Sequence, residues 1–317
     1  MRVLVTGGAG FIGSHVVDRC ISAGHDVLVV DNLSTGNRRS VPPAARLAVM
    51  DIRSPDLADV FRAEQPDAVI HLAAQAEVRR SVEQPLLDAD VNIMGSLNLL
   101  ECSRRFGVRR VIYSSSGGAV YGDTDVLPTP EDQPARPASP YGVSKLTVEH
   151  YLGCWAGLYG IRWVALRYAN VYGPRQSPLG EAGVVAIFAH RLLGGEPVVI
   201  NGDGLQTRDY VYVGDVAEAN LLSLEHGDAS GPVNIGTGVE TSVVELFGQV
   251  RAAVGVTAAA QHGPSKPGEQ RRSVLTAARA KHLLGWEPRV PLAEGLRRTV
   301  AHFSRETGHG PAPARHP

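Results

Sequence analysis

A glycine-rich loop near the amino terminus constrains this chain more than any other feature of its sequence. Residues 6–13 read TGGAGFIG, with an apolar run before them and a helical pattern after them. Two glycine frames overlap in this loop, Gly8-x-Gly10-x-x-Gly13 and Gly7-x-x-Gly10-x-x-Gly13. Glycines between a strand and a helix allow a tight turn, and they let the backbone and the helix N-terminus approach a pyrophosphate group. The loop therefore predicts a dinucleotide site in a βαβ unit.

An acidic residue at the end of the next apolar run indicates which dinucleotide binds. Asp31 lies close to the ~20-residue spacing at which a carboxylate accepts from the adenine ribose 2′-hydroxyl. Because this carboxylate repels a 2′-phosphate, NAD is favoured over NADP. Arg38 and Arg39 lie nearby, where guanidinium groups could hold a 2′-phosphate, and the favoured interpretation is a solvated basic loop. Asp51 has two interpretations, a contact to the adenine amino group or a helix cap before Pro55.

Short apolar runs alternate with longer helical patterns over the first half of the chain. Strands are predicted at 2–6, 27–31, 46–50, 68–72, 109–115 and 162–168, and helices at 11–24, 55–65, 84–106 and 140–159. Continuous apolar strands that alternate with helices are typical of a parallel sheet covered on both faces. The predicted fold class is α/β, a Rossmann-type doubly wound parallel sheet.

The pattern changes after residue 172, where proline and glycine become frequent and the strands shorten. We expect an NAD-binding domain over 1–172 and a smaller substrate-binding α/β lobe over 173–307. The segment 205–232 is expected to return partly to the first domain, since 211–224 reads as a strand leading into a helix. Residues 308–317 have no apolar periodicity, which favours a flexible tail.

Charge and composition exclude several classes of function. Lys and Arg number 31 against 32 Asp and Glu, so the net charge of −1 argues against a nucleic-acid partner. No apolar run approaches the ~20 residues that a membrane span needs. Three scattered cysteines and the absence of a His-Glu-x-x-His pattern favour no metal site and no disulfide framework. The start of the sequence lacks a secretory pattern, so a cytoplasmic location is expected.

Two residues four apart on a predicted helix form a candidate catalytic pair. Tyr141 and Lys145 project from one helix face, because four residues make about one turn. The pattern Tyr-x-x-x-Lys is common by chance, and its position downstream of a dinucleotide fold gives it weight. His71, by contrast, is interpreted as the end of a buried strand.

At this point the chain resembles the extended branch of the short-chain dehydrogenase/reductase superfamily. Within that branch it is similar to the nucleotide-sugar epimerases that act on UDP-glucose at C4. The segments that carry the resemblance are TGGAGFIG (6–13), DNLSTG (31–36), HLAAQ (71–75), SSSGGAVYG (114–122), SPYGVSK (139–145), LRYANVYGPRQ (166–176), GDGLQTRDYVYVGDV (202–216), NIGTG (234–238) and KPGEQRRS (266–273). They span nearly the whole chain in the family's order.

The resemblance implies roles for the catalytic residues. Tyr141 would be the general base, with a pKa lowered by the Lys145 ammonium and by the positive nicotinamide. Lys145 would also bind the nicotinamide ribose. Ser116 would hold the sugar hydroxyl, with Ser115 as its rival. NAD would take the C4 hydride from a UDP-hexose and return it to the opposite face of a transient 4-keto sugar.

The resemblance also implies two sets of binding residues. Those expected to contact NAD are Gly7, Gly10, Phe11, Ile12, Gly13, Asp31, Asn32, Leu33, Ser34, Thr35, Gly36, Asp51, Ile52, Leu72, Ala73, Ala74, Gln75, Ser114, Tyr141, Lys145 and Tyr168. Those expected to contact the UDP-sugar are Ser116, Tyr141, Asn170, Val184, Gln206, Arg208, Tyr210, Glu269 and Arg271.

Departures from related enzymes favour UDP-glucose and UDP-galactose as substrates. Residues 117–119 read GGA, where related dehydratases place proton-transferring carboxylates. Asn170 and Ser177 favour a neutral sugar, and Ser273 leaves room for an N-acetyl group. The alternatives are a UDP-glucuronate 4-epimerase, another NDP-sugar dehydratase or reductase, and a non-catalytic NAD-binding protein. The family further implies a homodimer formed through helices near 84–106 and 140–159.

Overall fold

The computed structural model describes residues 1–178, 183–265 and 270–307. Its strands are β1 (Arg2–Thr6), β2 (Asp26–Asp31), β3 (Arg46–Val49), β4 (Ala68–His71), β5 (Arg110–Ser116), β6 (Arg162–Tyr168), β7 (Asn170–Tyr172), β8 (Val198–Asn201), β9 (Thr207–Arg208), β10 (Tyr210–Tyr212), β11 (Gly231–Ile235), β12 (Thr241–Ser242), β13 (Ala260–Gly263) and β14 (Arg272–Ser273). Its α-helices are α1 (Phe11–Ser22), α2 (Leu57–Glu64), α3 (Val78–Glu83), α4 (Pro85–Ala89), α5 (Gly95–Arg105), α6 (Gly117–Tyr121), α7 (Pro140–Tyr159), α8 (Val184–Leu193), α9 (Val213–Glu225), α10 (Val243–Val254), α11 (Ala278–Leu284) and α12 (Leu292–Thr307). A 3-10 turn covers Arg38–Ser40, and a π-helical segment, Asp90–Met94, joins α4 to α5.

A seven-stranded parallel sheet forms the centre of the molecule. Its strand order is β11-β6-β5-β4-β1-β2-β3, and every neighbouring pair is parallel. The six strands predicted from apolar runs lie within two residues of their observed bounds. The prediction of a doubly wound α/β fold is confirmed.

Alternating residues of the central strands enter two separate hydrophobic layers. Val3 and Val5 of β1 pack into one cluster, together with residues of α1 and α9. Leu4, between them, packs into a second cluster with residues of α2, α5 and α7. Since side chains alternate across a strand, only an uninterrupted apolar run can serve both layers. This requirement explains the continuous apolar character of the strands.

The chain leaves the sheet after β6 and later returns to it. Helix α9 packs beside α1, and β11 then pairs with β6 over Gly231–Ile235. The strand continues to Ile235, past the predicted limit of the return at 232. A third apolar cluster, built from α8, α10, α12 and β8, lies outside the sheet layers. The predicted tail at 308–317 lies outside the described residues.

The sheet positions the candidate site through the carboxyl ends of its strands. The glycine loop follows β1, Asp31 ends β2, residues 72–75 follow β4, and Ser116 ends β5. In open α/β sheets, ligands bind at this edge, beside the point where the strand order reverses. In this sheet that point lies between β1 and β4. Among the described helices, none is long and apolar enough to cross a membrane.

Candidate active site

The glycine loop has no space for larger side chains at two of its positions. Gly7 has φ 69°, and a β-carbon there would lie 2.7 Å from the Ala73 amide nitrogen. A β-carbon on Gly13 would clash with the Gly7 carbonyl oxygen. Gly10 caps α1 in an extended conformation without a side-chain hydrogen bond, and the first turn carries no acidic residue. The loop thus presents the unpaired N–H groups and the positive end of α1 to a ligand, which fits a pyrophosphate.

The carboxylate of Asp31 is held against this loop. Its Oδ2 accepts from the Ala9 amide at 3.0 Å, and its Oδ1 accepts from the Leu33 amide at 2.8 Å. Gly36 lies close to this carboxylate, and a β-carbon at position 36 would come within 2.9 Å of Asp31 Oδ1. A fixed carboxylate beside a pyrophosphate cradle suits a ribose diol. Arg38 and Arg39 lie exposed on the 3-10 turn, as their interpretation as a solvated loop requires.

Asp51 does not cap a helix, so that interpretation is wrong. Helix α2 begins after Asp56, whereas Asp51 accepts from the Arg53 backbone and guanidinium at 2.8–2.9 Å. It also accepts from Asn32 Nδ2 at 2.9 Å. Hydrogen bonds from Arg53 hold the pKa of the Asp51 carboxyl well below its usual range. Its contact to adenine stays a prediction.

Helix α7 carries Tyr141 and Lys145 to the end of β5. The helix starts at Pro140, and the Ser139 hydroxyl accepts from the Gly142 amide at 3.1 Å. Gly142 permits a close crossing with α6, because a β-carbon there would clash with the Ala119 carbonyl oxygen. Lys145 is only 3% exposed, and its Nζ donates to the Ser114 carbonyl at 2.8 Å. Burial lowers the pKa of Lys145 to about 8.

The three consecutive serines of β5 have three different partners. The Ser114 side chain faces the Tyr168 hydroxyl and lowers the pKa of that phenol. Ser115 donates to Glu149 Oε1 at 2.6 Å and is buried. The Ser116 side chain faces the Tyr141 hydroxyl and lowers the pKa of that phenol. Of the two rivals, Ser115 is engaged with Glu149, whereas Ser116 faces the candidate base.

The pKa of Tyr141 differs in direction from the sequence-based expectation. Burial raises the pKa of the phenol, and the negative charge of Asp88 raises it further. The nearby Ser116 side chain lowers the pKa and only partly offsets these effects. The expected lowering is wrong for the chain's own groups. A cation bound next to the ring would reverse part of the shift.

Two buried polar clusters behind the pair were not found from the sequence. In the first, Asp88 accepts from Gln75, Asn92 and Ser144. In the second, Glu149 accepts from Arg167 Nη2 at 2.6 Å and Nε at 3.0 Å. One signal could have found Glu149. It follows Lys145 by one helical turn, as Lys145 follows Tyr141, so all three share a helix face.

The predicted sugar-nucleotide residues lie on short strands and at the start of one helix, all after β6 in the chain. Asn170 begins β7, Arg208 ends β9, Tyr210 begins β10, and Val184 begins α8. Ser273 of β14 pairs with Arg208 in the register of β9 and β14. A β-carbon on Gly118 would lie 3.3 Å from Ser273 Oγ, so β14 reaches the turn that follows Ser116.

Several residues predicted to bind the ligands form hydrogen bonds within the protein. Gln206 is buried, with Nε2 donating to the Asn201 carbonyl at 3.3 Å. Arg271 forms two 2.9 Å hydrogen bonds with exposed Asp203. The Tyr168 hydroxyl is bonded to Asn220. Glu269 lies outside the described residues.

His71 is a structural residue at the end of β4. Its Nδ1 lies 2.7 Å from Thr6 Oγ1 and its Nε2 lies 2.9 Å from Ser96 Oγ. Burial lowers the pKa of His71 to about 3, so the ring is neutral. Over the ranges 1–178, 183–265 and 270–307, no group of three His, Cys, Asp or Glu residues could hold a metal ion.

Comparisons with known proteins agree with this geometry. The model of the NAD dependent epimerase/dehydratase family matches residues 3–236. The UDP-glucose 4-epimerase of Mycolicibacterium smegmatis is 45% identical, with 97% of this chain and 100% of the relative covered. The crystal structure of the Thermotoga maritima UDP-glucose 4-epimerase with UDP-glucose has a TM-score of 0.95 at 49% identity, covering 97% of this chain and 100% of the other. That of the Thermus thermophilus UDP-glucose 4-epimerase in complex with NAD has a TM-score of 0.91 at 48% identity, covering 96% and 99%. This chain belongs to the NAD dependent epimerase/dehydratase family.

Proposed function

We propose that this protein is a UDP-glucose 4-epimerase that uses NAD and interconverts UDP-glucose and UDP-galactose. The observation that supports the proposal is the placement of Ser116, Tyr141 and the buried Lys145 together at the end of β5. These groups stand at the same sheet edge as the glycine loop. Relatives that share nearly the whole length of the chain bear the same activity in their names.

The residues present fit NAD. The cradle formed by Gly7, Gly10 and Gly13 would hold the pyrophosphate, Asp31 would hold the adenine ribose, and Lys145 would hold the nicotinamide ribose. When bound, NAD would supply reversible hydride transfer at C4 of the sugar, with no net redox change over a turnover. Asp31 supports NAD over NADP because its carboxylate would repel a 2′-phosphate.

The chain's own residues handle the proton at the sugar O4. Ser116 accepts or donates at O4 and keeps it next to the Tyr141 oxygen. Tyr141, as phenolate, takes the O4 proton while the carbonyl forms, and it returns that proton when the carbonyl is reduced. The Lys145 ammonium stabilises the phenolate through its charge. A positioned acid–base group of this kind contributes about 10²–10⁴-fold in rate.

The turn after Ser116 supports epimerisation over elimination of water. Loss of the C6 hydroxyl needs a further acid and base beside the sugar. Helix α6 offers Gly117 and Gly118 there, and Gly117 packs against the side chain of Leu275. Neither glycine can transfer a proton.

UDP-N-acetylhexosamines are a second candidate substrate class. The small side chains at the turn after Ser116 and on the facing strand β14 support this class. Gly118 faces Ser273 Oγ at 3.3 Å and Gln270 Oε1 at 3.7 Å, measured from the position of a β-carbon. Small side chains at 118 and 273 leave space beside the sugar for an acetamido group. The neutral Asn170 and Ser177 give less support to a uronic acid.

The proposal is tested by incubating the purified protein with a panel of UDP-sugars and reading product stereochemistry by NMR. We expect inversion at C4 of UDP-glucose without net NADH. The Tyr141→Phe variant should retain bound NAD and lose at least about 10²-fold in kcat. Tyr159→Phe, on the same helix and half exposed, is the matched control. Retained activity in Tyr141→Phe, a dehydrated product or stoichiometric NADH would contradict the proposal.

A homodimer is proposed from the exposed apolar side chains on the stretch from α3 to the π-helical segment and on α7. Leu86 is 87% exposed, and Val82 and Met94 lie exposed on the same stretch of α3 to α5. Val143 and Leu158 of α7 are also exposed. Contiguous exposed apolar groups mark interaction surfaces. This face supports pairing with a second copy through helices near 84–106 and 140–159.

A further inference from the structure

We propose that Asp88 is a positioning residue of this site, whose buried carboxylate fixes the loop after β4 against α7 and supplies the negative charge that faces Tyr141 and Lys145. The role in turnover rests on the proposed function. The electrostatic effect on Lys145 does not, and it is measurable in protein that turns over nothing.

Asp88 is 1% exposed and has three side-chain donors. Its Oδ1 accepts from Gln75 Nε2 at 2.9 Å and from Asn92 Nδ2 at 3.0 Å. Its Oδ2 accepts from Ser144 Oγ at 2.6 Å. The short distance to Ser144 is typical of a hydroxyl that donates to a charged carboxylate. A buried anion is tolerated when its lone pairs are used in this way.

The three donors belong to three elements that meet at the site. Gln75 follows β4, where the sequence predicts contacts to the cofactor. Asn92 lies in the π-helical segment, and its side chain accepts from the Gln75 amide and donates to the Gln75 carbonyl, at 2.8 and 2.9 Å. Ser144 directly precedes Lys145 on α7. Asp88 therefore ties the cofactor-side loop to the helix that carries the catalytic pair. π-helical segments of this kind are frequent at functional sites.

The charges around the pair show why Asp88 matters electrostatically. The titratable groups that face Lys145 are Asp88 of α4, His71 of β4, Tyr113 of β5, and Tyr141 and Glu149 of α7. Of these, Glu149 is neutralised by its ion pair with Arg167 of β6. His71 is neutral, and Tyr113 is a buried phenol with a raised pKa. Asp88 is therefore the negative charge that faces Lys145 without being paired to an arginine within the described residues.

This arrangement has a defined consequence for protonation. The negative charge of Asp88 raises the pKa of Lys145, and it partly offsets the lowering of that pKa by burial. It also raises the pKa of Tyr141. Replacing the carboxylate by an amide should lower both pKa values. The pH dependence of kcat/KM that these two groups set should then move to lower pH.

The chain offers a direct way to measure this, because it has only three lysines, Lys145, Lys266 and Lys281. In protein that contains bound NAD and isotopically labelled lysine, NMR reads the titration midpoint of each one, and Lys145→Arg assigns the signal. We expect Asp88→Asn to lower the Lys145 midpoint by about one pH unit, at the lower end of what a nearby charge does. Asp90→Asn, an exposed carboxylate next along the helix, should leave the midpoint unchanged.

A second variant separates positioning from charge. Ser144→Ala keeps the Asp88 charge and removes one of its anchors. It should lower kcat by about tenfold, because small misplacements of catalytic groups are costly, and leave the Lys145 midpoint in place. An unchanged Lys145 midpoint in Asp88→Asn would overturn the electrostatic role. Wild-type kcat in Ser144→Ala would overturn the positioning role. If the wild-type protein epimerises no UDP-sugar, the proposed function fails, while the midpoint still decides the electrostatic role of Asp88.

Discussion

Removing the guanidinium of Arg167 should destabilise the protein far more than removing an exposed arginine. Arg167 of β6 and Glu149 of α7 form two hydrogen bonds at 2.6 and 3.0 Å, and their side chains are 6% and 5% exposed. Arg167 also donates to the Tyr121 hydroxyl at 2.8 Å. In Arg167→Met, the Glu149 carboxylate stays buried with the Ser115 hydroxyl as its remaining donor among the hydrogen bonds described.

The expected magnitude follows from the burial of the pair. Breaking a buried ion pair from one side costs about 3–5 kcal/mol, because an uncompensated charge stays in a poorly solvated site. An exposed pair contributes about 0–1 kcal/mol. Arg109 is the matched control, since it pairs with Asp67 at 3.1 Å and its side chain is 67% exposed. Arg109→Met should therefore change the free energy of unfolding by less than about 1 kcal/mol.

Urea unfolding followed by tryptophan fluorescence measures both variants, since Trp155, Trp163 and Trp286 report on both faces of the sheet. The double variant Glu149→Leu with Arg167→Met removes both charges, so its cost should be well below the sum of the two single costs. The reasoning is refuted if Arg167→Met unfolds at the same urea concentration as Arg109→Met. Strict additivity in the double variant would refute it as well.

The remaining predictions concern pH and assembly. Burial lowers the pKa of His71 to about 3, below its ordinary value of 6.5. Between these values the unfolded chain binds a proton that the folded chain does not, so stability should fall as pH drops below 6.5, by at most about 1.4 kcal/mol per unit from this group. His71→Gln should flatten that slope in urea unfolding measured at a series of pH values, and an unchanged slope would contradict the assignment. Leu86→Glu should shift sedimentation from dimer to monomer at micromolar concentration, while Val239→Glu, on an exposed loop, should not; a wild-type protein that sediments only as monomer would contradict the proposed dimer.

The central sheet could be predicted closely because its strands are buried on both faces. Such strands are continuous apolar runs, visible without knowledge of their neighbours. The second lobe could not be predicted in the same way. Its strands β9, β12 and β14 have two residues each and pair across long stretches of sequence. Short segments of this kind carry no periodicity of their own.

Part of the candidate site could likewise be predicted from local sequence patterns, and part could not. Tyr141, Lys145, Ser116 and the glycine loop sit in recognisable local patterns, and the structure gathers them at one sheet edge. Asp88 has no such pattern, because a single carboxylate in a five-residue helix reads as solvated until packing buries it. The direction in which the Tyr141 pKa shifts depends on that same packing, so the sequence could not predict it.

The return of the chain to β11 affects how the protein can be made. Strand β6 is translated long before its neighbour β11, and the two pair only when residues 231–235 have emerged from the ribosome. Until then a nascent chain exposes one edge of β6, a row of unpaired N–H and C=O groups beside apolar side chains. Open edges of this kind are templates for pairing between molecules. Between synthesis of residue 168 and residue 235, this edge of β6 is therefore open to pairing with another molecule.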